Sequence, residues 1–90
     1  MSGKKRISPE QAKTIGEQLG IAWDRFDLEQ FRIGMEVELE HGTQDPHTNV
    51  TNDDLLITGK IALAHLNEFP DYYDRLEQME EEAKEYWKSR

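Results

Sequence analysis

Two short spacings in this chain could do chemistry: Glu38-x-x-His41 within "MEVELEHG" (35–42) and His65-x-x-Glu68 within "ALAHLNEFP" (62–70). Residues three apart share a helical face, so each pair would present a carboxylate beside an imidazole. On adjacent helices of a bundle, such pairs hold metal ions, and zinc or iron suits a mixed donor set of this kind. Glu38, His41, His65 and Glu68 are therefore candidate ligands for a divalent metal. A length argument opposes them. His41 ends its helix while His65 lies about fourteen residues into the next, roughly 20 Å along the axis at 1.5 Å per residue. A simple antiparallel hairpin would hold the two pairs at different heights, and only a long loop descent or a steep crossing angle would unite them.

Each residue also has an ordinary structural role open to it. His41 in a last helical turn suits the helix dipole and the free carbonyls there. His65 beside Tyr72 or Tyr73 reads as a hydrogen-bonded core histidine, and Asp71 as an N-cap. Glu38 is the outlier, because a carboxylate in the middle of a buried face needs a partner such as Thr58, Lys84 or a metal. The second candidate site is a polar cluster at a helix junction. His65, Glu68, Asp71, Tyr72 and Tyr73 flank Pro70, where the chain must reverse, so their side chains converge on a small volume. Tyr73 falls off the apolar stripe of its helix and is expected to face outward as an anchor for a partner.

The elements that must position these residues follow from caps and breakers. Ser8-Pro9-Glu10-Gln11 is a capping-box start with proline at the first helical position, and that helix stops at Gly20. Asp27 with Gln30 opens a second helix, for which Gly42 supplies a left-handed stop. Thr51 with Asp54 opens a third, which Pro70 ends near Phe69. Pro70 or Asp71 begins a fourth, reaching about Trp87. Glu29, Arg32, Glu36 and Glu40 mark the wet side of the second helix. Phe31, Gly34, Glu38 and His41 lie opposite, flanked by Leu28, Met35 and Leu39 and by Ile33 and Val37. This helix is apolar around most of its circumference and is expected to be central. The third helix turns Thr58, Ala62, His65, Leu66 and Phe69 inward. The fourth carries Tyr72, Leu76, Met79, Ala83, Tyr86 and Trp87 in one stripe. The loop "GTQDPHTNV" (42–50) has turn chemistry throughout, and His47 in it is expected to be exposed. No stretch alternates as a strand does, so the predicted fold is all-α: a compact bundle of three main helices plus a shorter N-terminal one.

Composition narrows the function classes. Ninety residues with a net charge of -8 make one small domain, read as 8–90 after a flexible basic tail at 1–7. The acidity opposes nucleic-acid binding, which would have to rest on Lys4, Lys5 and Arg6. Cysteine is absent, and no apolar run could span a membrane or serve as a secretory signal, so a cytoplasmic location is expected. The only serines, Ser2, Ser8 and Ser89, lie near the ends, so no hydrolytic nucleophile stands in a recognisable motif.

"FDLEQFRIGMEVELEHG", "DPHTNVTNDD" and "TGKIALAHLNEFPDYYDRLEQMEEE" resemble an uncharacterised family of short bacterial and phage proteins, a domain of unknown function. The likeness runs from about Ser8 to Glu82. It implies that Glu38, His41, Gly42, Lys60, His65, Glu68, Pro70, Asp71 and Tyr72 belong to the family's pattern, and it suggests an adaptor more than a free-standing enzyme. The expected function is a non-catalytic protein-interaction or scaffold module with a protein partner or a second copy of itself. The alternative is a helical domain binding zinc or iron.

Overall fold

The computed structural model describes residues 6–89 and is all-helical over that span. Helix α1 spans Pro9–Gln18, α2 Leu28–Glu38, α3 Leu55–Glu68 and α4 Tyr72–Lys88, with one 3-10 turn, Leu39–His41, continuing α2. The Ser8 hydroxyl accepts from the Gln11 amide while the Gln11 side chain accepts from the Ser8 amide, so the capping box is complete. Gly20 at φ +75° closes α1, with the Gly20 and Ile21 amides bonded to the Glu17 and Gly16 carbonyls. Asp27 caps α2 through the Gln30 amide.

Two boundaries differ from the sequence reading. The cap of α3 is Asp54, which accepts from the Ile57 amide, and Thr51 lies three residues upstream, buried against the His41 carbonyl. Gly42 is not left-handed. Its φ is -101°, and the left-handed residues of the loop that follows are Asn52 and Asp53, types that tolerate this conformation. Asp53 packs directly against Gly42 and bonds the Thr43 amide and hydroxyl, so Gly42 is needed for the closeness of that approach. His47 is exposed on the loop, as the sequence indicates.

As expected, α2 is central. It packs on α1, α3 and α4, and Phe31, Met35 and Leu39 are buried with Ala12, Ile15, Ala62 and Leu66 of the neighbouring helices. Trp23, between α1 and α2, sets its ring edge-on to Phe31 and Phe26. The outer face of α2 is less wet than its charges suggest. Arg32 pairs with Glu29 and Glu36, and these side chains hold the chain preceding α1: the Ile7 amide donates to Glu36 at 2.9 Å and Arg32 donates to the Ile7 carbonyl at 3.3 Å. Ile7 is buried, so it belongs to the domain and not to a flexible tail. Of the rest of that expected tail, Arg6 is exposed and residues 1–5 lie outside the described residues.

Two further placements differ from expectation. Phe69 is 49% exposed, beneath the Arg75 guanidinium, and the stripe of α4 enters the core only at its first turns. Beyond Leu76 every described residue of α4 is exposed. The helix therefore projects from the body, and with it the molecule reaches 45 Å along its longest axis. No helix of the described residues is long and apolar enough to cross a membrane.

Gly34 is where α4 meets α2: a Cβ there would lie 2.5 Å from Cε2 of Tyr73. Gly34→Ala is expected to lower stability by about 1 to 3 kcal/mol through overpacking, despite alanine's better helix propensity. Denaturant unfolding measures this, and a variant at least as stable as the parent would mean that the ring can move aside.

Candidate functional site

The candidate site lies where the end of α2, the last turns of α3 and the start of α4 meet. Glu38 closes α2 at 2% exposure, a position at which an isolated carboxylate would cost several kcal/mol. Its Oε2 accepts the Tyr73 hydroxyl at 2.7 Å and faces His65 Nδ1 at 3.0 Å. A carboxylate oxygen only accepts, so Tyr73 donates and the bonded His65 Nδ1 carries its hydrogen. The 3.2 Å between His65 Nδ1 and the Tyr73 hydroxyl follows from both donors sharing one acceptor. The other oxygen, Oε1, faces His41 Nε2 at 3.5 Å, and that nitrogen also lies 3.4 Å from Glu40.

The chain reaches this arrangement because α2 and α3 do not form a simple antiparallel hairpin: Gly59 lies against Phe31 and, six residues on, His65 lies against Glu38. Loop 42–54 returns to the end of α2, where the Val50 and Thr51 amides bond the His41 carbonyl. From there α3 advances about 15 Å to His65, and His65 is still beside Glu38, so α3 does not run back along α2. Phe69, with extended φ and ψ, and Pro70 then reverse the chain, and Tyr73 enters on the second residue of α4. Thr58, expected as a partner of Glu38, instead turns its hydroxyl to the Asp54 carbonyl.

Around this centre the aromatic rings are ordered. Tyr72 stacks on the His65 ring, centroids 4.3 Å apart and 8° from parallel, and Tyr73 stands edge-on to both. Burial, then the bond to Glu38 and its charge, pushes the Tyr73 hydroxyl well above the ordinary tyrosine range. Tyr72 is raised by burial first and then by the charges of Glu38 and Glu68. Asp71 occupies the N-cap position of α4 without making a cap bond; its carboxylate bonds Arg75 at 2.9 Å, which holds it below the usual carboxylate range.

Of the four expected metal ligands, Glu38, His41 and His65 gather at one place and Glu68 lies on an exposed face. Among the described residues no three His, Asp or Glu side chains are grouped so as to hold a metal ion. The two histidines approach opposite oxygens of Glu38, and the nitrogen that His65 turns inward is already bonded. Of the expected partner-binding cluster, His65, Tyr72 and Tyr73 are in mutual contact, Glu68 reaches Tyr72 only through its field, and Asp71 turns to Arg75. Tyr73 corrects the sequence reading: at 3% exposure it is core, not an outward anchor. The signal for this was Gly34, the one position without a side chain on the face that carries Glu38, which leaves room for a ring. The clamp on Ile7 had no comparable signal, since Arg32 and Glu36 read only as part of the wet side of α2.

With this geometry in hand, comparison with known proteins identifies the family. A family model described as a protein of unknown function (DUF5661) matches residues 12–82. The chain belongs to this family. No curated protein and no solved structure gives a significant match. The family match takes in every residue of the Glu38 centre and ends within α4, before Tyr86 and Trp87.

Tyr73→Phe deletes one bond to a buried carboxylate and is expected to cost about 1 to 3 kcal/mol. The loss depends on pH. In the unfolded chain Tyr73 ionises near pH ~10, whereas folded Tyr73, with its raised pKa, stays neutral, so its contribution is complete below ~10 and is lost as pH rises beyond it. The stability gap between parent and Tyr73→Phe should therefore shrink by about 1.4 kcal/mol per pH unit above ~10. Urea titrations at pH 8 and pH 11 measure it, and a constant gap would show that the hydroxyl is not held neutral by the fold.

Proposed function

We propose that the protein is a non-catalytic interaction module and that its docking element is the projecting half of α4. The observation that carries this reading is the exposure of large apolar side chains on a helix that has left the core: Met79 is 58% exposed and Trp87 70%, with Tyr86 half-exposed and edge-on to Trp87. Tryptophan and tyrosine are enriched among the residues that dominate binding energies, and adjoining exposed apolar side chains of this size mark contact surfaces more than random surface. The Glu38 centre fits a supporting role here. It joins the first turns of α4 to α2 and α3, and so fixes the direction in which the rest of α4 points. Its polar groups satisfy one another, which suits a joint better than a reaction site. A cytoplasmic location is part of the same proposal and fits the absence of cysteine.

The test is paired. A Met79→Asp, Trp87→Asp variant should keep its thermal stability, since exposed substitutions typically change it by no more than about 0.5 kcal/mol. It should also lose the proteins that cross-link to the parent in cells that naturally make it. An unchanged cross-linking pattern in a folded variant would sink the proposal.

A further inference from the structure

A shallow groove of about 430 Å³ runs between α2 and α4, floored by Ile33, Val37 and Leu76. Its α4 rim is acidic. Glu77, Glu80 and Glu81 line it against a single lysine, Lys84, and among the described residues none of these glutamates forms an ion pair. Glu36, on the α2 side, is already committed to Arg32 and the Ile7 amide. Sharing Leu76 with this groove, a neighbouring stripe follows α4 at alternating intervals of three and four, Leu76, Met79, Ala83 and Tyr86, the seam spacing of a two-helix contact, and Met79 lines an adjoining hollow with Phe69, Tyr72 and Arg75. We propose that this groove and seam receive a basic amphipathic helix of a partner protein, its apolar stripe on Leu76, Met79 and Trp87 and its lysines or arginines against Glu77, Glu80 and Glu81.

Charge selects this occupant over a second copy of the chain. Two α4 helices sharing the seam would set Glu80 and Glu82, which flank it, against their own counterparts, and each copy carries a net charge of -8. A cationic helix turns the same glutamates from repulsive to attractive and steers its own approach.

The inference rests on the docking role proposed for α4 and adds the chemistry of the partner. The probe is a synthetic 18-residue helical peptide with leucine at the seam positions and lysine beside them, and a counterpart carrying glutamate in place of lysine. The lysine peptide should bind the full chain and blue-shift its tryptophan emission, the shift disappearing in Trp87→Phe. Its affinity should fall roughly tenfold or more between low and high salt, and the glutamate peptide should not bind. Replacing Glu77, Glu80 and Glu81 with glutamine should weaken binding roughly tenfold or more, whereas Glu10→Gln, Glu17→Gln, Asp24→Asn, which removes as much charge from residues outside the groove lining, should change it little. Equal loss in both triple variants would reduce the effect to general charge attraction and overturn the proposal. So would equal binding of the two peptides, binding of neither, or a stable dimer of the chain alone by sedimentation. If the Met79, Trp87 variant loses its cellular cross-links while both peptides fail, the docking role stands and the basic partner falls. If those cross-links persist, both fall.

Discussion

A buried carboxylate sets the terms on which this fold exists. Glu38 ends the central helix at a depth where water cannot reach it, and the low dielectric there makes an unbonded oxygen expensive. Its hydrogen bonds come from two other helices, through His65 and Tyr73, so the helices cannot settle independently of one another. The placement of His65 beside the end of α2, the turn at Phe69 and Pro70, and the missing side chain at Gly34 are all conditions for bringing those donors to one oxygen. Apolar burial alone would tolerate several packings of helices this small. A single acceptor with two donors narrows them, because the donors cannot be misplaced by even an ångström without leaving a charge unpaired.

Much of the fold was legible in the sequence because the signals that set it are local. Ser8, Pro9 and Gln11 declare a helix start through groups three residues apart, and Asp27 with Gln30 does the same. The inward face of α2 is a matter of period alone. The errors arose where a local signal had a competitor nearby. Thr51 and Asp54 are both good caps three residues apart, and the choice between them was made by Thr51 being drawn beneath the end of α2. Gly42 does end the helical stretch, as the sequence indicates, but without the left-handed conformation expected there; what requires glycine is the approach of Asp53.

The site was legible in its members and not in its connections. Sequence spacing picked out Glu38, His41, His65 and Tyr73, and it recognised that a simple hairpin would keep the two pairs apart. It could not say that Tyr73 turns inward, because the stripe of α4 follows one face of a helix while the first turn of that helix is wedged between two others. A residue at that wedge is buried on two sides, so its distance from the stripe stops mattering. Periodicity reads burial against one neighbour, and the Glu38 centre lies where there are two.

The projection of α4 has a thermodynamic consequence. Beyond Leu76 its backbone is held by helix propensity and short-range pairs such as Glu85 with Lys88, without core burial. A segment of that length is marginal as an isolated helix. The two halves of one continuous helix thus belong to different cooperative units: the first opens only with the body, and the second can fray while the body stays folded. Any affinity this tip has for a partner is then discounted by the fraction of time it is helical, so a change of helix propensity at a solvent-facing position such as Gln78 would adjust binding strength without touching the contact. In the docking role proposed for α4, affinity would be controlled in a stretch of chain that the core does not stabilise.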